Sequence, residues 1–439
     1  MALELDAPHF GRHRPRIDPS KRPATGTSWA ELGPGDLALG EWAALGLERP
    51  DLDAMRRYRL DRLREGLRAR GLPAMLLFDP LNIRYATDQT NMQAWCAHNA
   101  VRYAFVAAEG PVVLFDFHNC EHLSGHLPLI DEVRPGIASA WFFAGERGPE
   151  RAKAWALEID SLLREAGGRD RRLAVDRLEP ETAAALEDAG IEVQDAWETT
   201  ELARRLKSPD EVRAMRCAVA ACEAGIAAMR DALVPGISEQ GLWAELHKAN
   251  IARGGEWIET RLLSSGPRTN PWFQECSSRV VERGDLVAFD TDLIGPYGYC
   301  ADISRTWVCG DGTFSAEQRG LLDIAEAQIA HNIALVGPGV SLREIGEKAF
   351  VLPEGCRKNR YSVMMHGVGL CDEYPSVYYP EDAAVSGYDD VLEPGMTLCV
   401  ESYVGFEGGS QGVKLEEQVL VTERGIERLS TYPLRDPGR

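Results

Sequence analysis

Apolar and polar positions follow two regimes along the chain. From residue 51, DLDAMRRYRLDRLREGLRARG spaces its apolar residues as a helix does, and the AMLLFDP run that follows predicts a buried strand. YAFVAAEGPVVLFDF (103–117) reads as two strands joined at a Glu-Gly turn. Helix and strand signatures alternate to about residue 195, an α/β pattern. A different text then begins with RRLKSPDEVRAMRCAVAACEAGIAAMRDALVPG. Ser208 stands as N-cap, Pro209 at the first helical position, and Asp210 and Glu211 in the first turn. Apolar residues recur at 212, 215, 219, 222, 226, 229 and 233, which predicts one long amphipathic helix stopped by Pro235-Gly236. The expected organisation is an N-terminal extension (1–50), a first domain (51–200) and a second domain (201–439), with α/β (α+β) architecture throughout.

The second half carries a weak internal echo. LVPGIS (233–238) and LVGPGVS (335–341) each close one helix and open another, the latter with Ser341 and Glu344 set as a capping box. ERGDLVAFD (282–290) resembles EPGMTLCVE (393–401), so Asp290 and Glu401 are expected to end equivalent strands. Each is followed by a second acidic strand, with Asp302 in CADISRTWV and Glu416 in VKLEEQVLV.

At 439 residues and 44% hydrophobic composition the chain can build two cores. Its net charge of −20, from 68 acidic and 48 basic residues, argues against nucleic acid or an anionic membrane as partner. Ten cysteines without a CxxC pair read as reduced thiols rather than a zinc knuckle or a disulfide framework. The opening segment has no apolar run of signal-peptide length, and no stretch approaches the roughly 18 apolar residues of a membrane span. The expectation is a soluble, cytoplasmic protein. Residues 1–30, aperiodic and containing Pro and Arg, are either an arm over a neighbouring subunit or disordered.

FDTDLIGPYGYCADISRT (289–306) sets three aspartates in otherwise apolar strand and turn text. Burying them without counter-charge costs several kcal/mol each, which points to a cation among them. Asp290 and Asp292, two apart in a strand, share a face. With Asp302, Glu401, Glu416 and His366 of MMHGVGL they make an oxygen-rich nest, better suited to two bridged divalent first-row ions than to one thiolate-bound zinc. His118, His122 and His126 have suggestive spacing, but Ser124-Gly125 interrupts any helix that would align them.

RxLKSPDEV, ADISRT, HGVGL and GVKLEE, in this order, resemble the motifs of the creatinase/aminopeptidase P/methionine aminopeptidase superfamily, the pita-bread metallohydrolases. The likeness spans roughly residues 55–430. It implies a creatinase-like first domain, a pita-bread catalytic domain, a homodimer, and Asp290, Asp302, His366, Glu401 and Glu416 as metal ligands. The departures narrow the activity. Trp272 stands where the peptidases carry a histidine, and CDEYP offers Asp372 and Glu373 where a second helper histidine is expected. Asp290 lies twelve and Asp292 ten residues before Asp302, an insertion that adds a carboxylate able to fill the position of the attacking water.

The DTD…ADISRT pattern is similar to that of the metallopeptidase-like dimethylsulfoniopropionate lyases of the DddP family, which adds Asp292 to the ligands by resemblance. The substrate implied is a small sulfonium carboxylate, eliminated to dimethyl sulfide and acrylate. Two divalent ions would serve as Lewis acids, iron being favoured with zinc or manganese as alternatives. Asp372 is the expected base, with Tyr361 as carboxylate-orienting group or alternative base. Trp95, Tyr361, His366, Asp372 and Trp272 are the expected substrate-binding residues, and Tyr374, Tyr378 and Tyr379 supply further aromatic faces. The competing readings are an Xaa-Pro dipeptidase or creatinase-like amidinohydrolase, and a non-catalytic binding module that would be expected to lose ligands.

Overall fold

The computed structural model describes residues 33–118 and 120–435. The chain forms two compact units, one of residues 51–204 and one of residues 33–50 together with 205–435. The arm expected within residues 1–30 lies outside the described residues.

The first unit is built on a six-stranded mixed sheet. Its strands are β1 (Ala74–Leu77), β2 (Tyr103–Ala107), β3 (Val112–Asp116), β4 (Glu132–Pro135), β5 (Arg172–Val175) and β6 (Glu192–Asp195), in the order β4-β3-β2-β1-β5-β6. The 103–117 text forms the expected antiparallel hairpin, with Val106 opposite Val112. The continuous apolar runs of β1, β2 and β3 fit their burial. The helix Gly148–Gly167 lays Trp155, Ile159, Leu162 and Leu163 into the same core, each worth about 1.5–3 kcal/mol of burial.

In the second unit the caps read from the sequence are in place. The helix Pro209–Ala232 begins with a reciprocal capping box, Ser208 Oγ accepting from Glu211 N at 3.2 Å and the Glu211 carboxylate accepting from Ser208 N at 2.7 Å. Gly225 lets the helix Glu239–Ala252 pack closely, since a Cβ there would meet Leu246 Cδ1 at 2.7 Å. Residues 36–45 form a helix whose Ala38 and Trp42 pack with Cys217, so the described part of the expected extension is grouped with the second unit. At Ser341 only half of the expected box forms. Its hydroxyl accepts from Glu344 N at 3.1 Å, while the Glu344 carboxylate turns to Lys348 one helical turn on.

Eleven strands complete this unit among the described residues: β7 (Trp257–Ile258), β8 (Leu263–Ser265), β9 (Leu286–Phe289), β10 (Leu293–Ile294), β11 (Cys300–Ala301), β12 (Arg305–Val308), β13 (Met365–Val368), β14 (Asp372–Val377), β15 (Thr397–Gly405), β16 (Gly412–Thr422) and β17 (Gly425–Arg428). They make sheets ordered β11-β10-β7, β12-β9-β8 and β14-β13-β15-β16-β17. β12 is tied to β16 by Lys414 N to Thr306 Oγ1 at 3.0 Å, Thr306 Oγ1 to Lys414 O at 2.8 Å, and Glu416 N to Ser304 O at 3.2 Å. A core of Leu321, Ile329, Leu398, Val400, Val404, Leu415 and Val419 backs the long hairpin β15–β16. This leaves the other face of that hairpin for polar side chains.

Candidate metal centre

Strand alternation does not bring the three aspartates together. β9 stops at Phe289, and Asp292 sits at φ 35°, in the left-handed region that non-glycine residues rarely adopt. The shared face expected for Asp290 and Asp292 is therefore replaced by a kink. Thr291 holds it, its hydroxyl donating to Ala301 O at 2.8 Å and accepting from Ile303 N at 2.9 Å. Asp292 N donates to Asp302 Oδ1 at 3.2 Å, and Thr260 donates to Asp292 Oδ2. The inserted residue thus turns the chain so that both carboxylates meet Asp302.

Glu401 and Glu416 arrive differently. Glu401 lies in the middle of β15 and not at a strand end, which corrects the expected equivalence with Asp290. In the β15–β16 ladder Glu401 is directly opposite Glu416. Like charges in register repel, more so when both side chains are fully buried. Part of the compensation is a lysine. Lys414, two residues before Glu416 and on the same face, is itself fully buried; its Nζ stands 3.0 Å from Asp290 Oδ2, 2.9 Å from Glu401 Oε2 and 3.0 Å from Glu416 Oε2. It also donates to Ser304 Oγ at 2.8 Å, and that hydroxyl bridges Asp290 and Glu416.

His366, on β13, faces the other oxygens: Nε2 is 3.1 Å from Glu401 Oε1, 3.5 Å from Glu416 Oε1 and 3.8 Å from Asp302 Oδ2. Three groups of potential ligand atoms each lie within 4.8 Å of one another: Asp290, Asp292 and Asp302; Asp290, Glu401 and Glu416; and Asp302, His366, Cys399 and Glu416. With only the protein's own charges acting, this assembly is strained electrostatically. Burial pushes Asp290 and Asp302 well above the usual carboxylate range; Lys414 opposes this at Asp290, while Glu416 and the other carboxylates reinforce it at both. Burial raises Asp292 to about 6 despite the Thr260 hydrogen bond. Glu416 goes the other way, since Lys414 and His366 outweigh its burial.

The residues fit divalent ions. Both oxygens of Glu401 and Oε1 of Glu416 are buried and accept no well-formed hydrogen bond, although Lys414 and His366 stand near them. Buried carboxylate oxygens left this way are costly unless a cation takes them. Five carboxylates and one imidazole form a hard, oxygen-rich donor set of the kind that holds first-row divalent metals.

Asp372, the first residue of β14, points at the rim of this cluster. Its Oδ1 is 3.6 Å from His366 Nδ1 and its side chain is 54% exposed. Partial desolvation and the carboxylates of Asp292, Glu416 and Glu401 raise it to about 6, against the opposing effect of His366. Its neighbour Glu373 faces away, buried against Lys207 at 2.9 Å. Tyr361 lies beneath Lys414, whose Nζ is 4.5 Å from the ring centroid. Burial, helped by Glu401, raises its phenol far above the usual value, which makes it a hydrogen-bond donor and a poor base. Trp272 is buried in a small cluster with Leu262, Tyr403 and Tyr361. Trp95 belongs to the first unit, where it packs against Phe117 and Phe143 and stays 38% exposed.

Several aromatic candidates have structural partners instead. Tyr374 donates to Asp390 at 2.6 Å and stacks on Tyr388, Tyr378 sits edge-on to Tyr388, and Tyr379 accepts from Gln328 at 3.1 Å. Among the described residues, no group of metal-capable side chains includes His118, His122 or His126. Sequence reasoning missed Lys414, Ser304 and Thr260. For Lys414 a signal existed: in GVKLEE the same period of two that puts Glu416 on the ligand face puts Lys414 there too.

Comparison with known proteins agrees with this architecture. Residues 213–423 match Metallopeptidase family M24, and residues 59–132 match the Creatinase/Prolidase N-terminal domain. Among solved structures, the Xaa-Pro dipeptidase from Bacillus anthracis superposes with a TM-score of 0.68 at 20% identity, over 85% of this chain and 97% of that one. The dipeptidase PepE from Mycobacterium ulcerans does so with 0.68 at 22%, over 88% and 98%. These neighbours establish the pita-bread fold alone. The chain is 47% identical to the dimethylsulfoniopropionate lyase DddP of Roseovarius nubinhibens and 46% identical to that of Roseobacter denitrificans, in each case over 98% of both chains. The probable dipeptidase PepE of Mycobacterium tuberculosis is 31% identical over 53% of this chain and 61% of its own. The chain therefore belongs to the DddP family of dimethylsulfoniopropionate lyases, within metallopeptidase family M24.

Proposed function

We propose that the chain is a metal-dependent lyase that cleaves dimethylsulfoniopropionate to dimethyl sulfide and acrylate. The observation that carries this reading is Asp372. A half-exposed carboxylate stands at the rim of the buried ligand cluster, where the peptidase pattern calls for a histidine.

The proposed metal ligands are Asp290, Asp292, Asp302, His366, Glu401 and Glu416. We propose two divalent ions, with iron ahead of zinc or manganese. Bound there, they would supply Lewis acidity to the substrate carboxylate, which must tolerate a second negative charge as C2 is deprotonated. The chain's own residues do the rest. Asp372 removes the C2 proton, the electron pair forms the C2–C3 double bond, and the C3–S bond breaks with its pair on sulfur. Dimethyl sulfide leaves neutral, so no general acid is required. Tyr361, kept as a phenol, donates to the substrate carboxylate. Trp272 supplies apolar wall. We further propose a homodimer, and a cytoplasmic location, with which the ten free cysteines accord.

The test is headspace gas chromatography of the purified, metal-loaded protein with dimethylsulfoniopropionate, beside a Gly-Pro hydrolysis assay and a chelated control. Metal-dependent dimethyl sulfide with equimolar acrylate and no dipeptide cleavage is expected. Dipeptide cleavage without dimethyl sulfide would overturn the reading.

A further inference from the structure

The segment Lys207, Ser208 and Pro209 opens the catalytic unit and starts its long helix. Its lysine does more. Lys207 Nζ pairs with Glu373 Oε2 at 2.9 Å, and the two side chains are 2% and 1% exposed. The other oxygen, Glu373 Oε1, accepts from Leu370 N at 3.0 Å. The turn between β13 and β14 is folded over this carboxylate so tightly that a Cβ on Gly369 would lie 2.3 Å from Oε2. Both ends of the arrangement are anchored: Cys300 N donates to Gly369 O at 2.7 Å, and Lys207 N donates to Gly395 O at 2.9 Å.

Glu373 and Asp372 are neighbours on β14, so their side chains leave on opposite sides. Asp372 is paired in register with Val368 and Glu373 with Gly367, next to a register shift between His366 and Gly367. Whatever fixes Glu373 from inside therefore fixes where Asp372 stands against His366. We infer that the buried Lys207–Glu373 pair is a positioning clamp that holds the 369–372 turn and, through it, the Asp372 carboxylate at the reacting centre. This rests on the reading of Asp372 as base, and it assigns Glu373 a role distinct from proton transfer. A group held through a turn can be displaced by an ångström without any loss of metal ligands, and displacement on that scale costs about a hundredfold in rate.

The experiment compares Lys207→Met, Glu373→Gln and Lys207→Arg with the wild type, as full-length metal-loaded proteins. It reads amide hydrogen exchange across 366–377, metal content, and kcat and KM for release of dimethyl sulfide. In the first two variants the Leu370 amide and its turn should exchange at least about tenfold faster, with kcat down about a hundredfold, KM within about threefold and metal content unchanged. Lys207→Arg, which restores the charge, should recover most of both losses. Glu373→Gln keeps the test open if Lys207→Met fails to fold. Unchanged exchange in Glu373→Gln would overturn the clamp, and so would faster exchange with wild-type kcat. If the wild type itself releases no dimethyl sulfide, the elimination reading falls; exchange then decides the clamp alone, faster exchange supporting it and unchanged exchange overturning it.

Discussion

Replacing Lys414 by Met should cost the protein far more stability without metal than with it. The ammonium lies 2.9–3.0 Å from carboxylate oxygens of Asp290, Glu401 and Glu416, and all four side chains are buried. Methionine keeps most of the volume and removes the charge. Removing one partner of a buried ionic group typically costs about 3–5 kcal/mol, because the charges left behind have no water to turn to. For a unit of this size, each kcal/mol moves the midpoint by roughly 2–4 °C, so a fall of roughly 6–20 °C is expected in chelator. Divalent ions held by these carboxylates would take over most of the compensation, and the decrement should shrink to less than half of that. Thermal unfolding followed by circular dichroism, with and without metal, measures both values, and Lys414→Arg serves as the charge-retaining control. Equal decrements in the two conditions, or a loss below about 1 kcal/mol in chelator, would refute the reasoning that Lys414 stabilises the carboxylates electrostatically.

Asp372→Ala should abolish elimination while metal content stays at the wild-type level; loss of both would make Asp372 a ligand or a structural residue. Asp292→Ala should lower bound metal, measured by inductively coupled plasma mass spectrometry, and full occupancy would remove Asp292 from the ligand set. In the first unit, Asp88 pairs with Arg56 at 2.8 Å and Arg59 at 3.2 Å, and these arginines hold its pKa below the usual value against the effect of burial. A depressed folded pKa contributes stability above the unfolded value near 4 that is lost as the pH falls through the folded value. Asp88→Asn, which tolerates the φ of 62° there, should therefore cost about 2–4 kcal/mol in urea unfolding at pH 7. The gap to wild type should close only below pH 4, and a gap independent of pH would show that charge is not its source.

What could be read along the chain was whatever depends on neighbours in sequence. Ser208, Pro209 and Glu211 announce the helix start because capping is local chemistry, and the structure reproduces it bond for bond. Asp302 and His366 were visible because short motifs keep them in fixed local settings. The kink at Asp292 was not, since alternation assumes that a strand continues, and here β9 ends one residue before the first aspartate. Analogy with Asp290 places Glu401 at a strand end, whereas its position is decided by pairing with β16 across the hairpin. Lys414 gains its meaning only from that pairing and from Asp290, more than a hundred residues away. The division of labour between Asp372 and Glu373 was likewise hidden, because Lys207 lies 166 residues from its partner.

The left-handed backbone at Asp292 sets its proposed role as a ligand against the stability of the chain at one residue. Asparagine or glycine would sit there with less backbone strain, and either would remove a negative charge from an already crowded cluster. In the absence of metal, either replacement would therefore be expected to stabilise the chain rather than weaken it. The aspartate thus leaves the unloaded protein less stable than either alternative would, a cost that a cation bound at this position would offset.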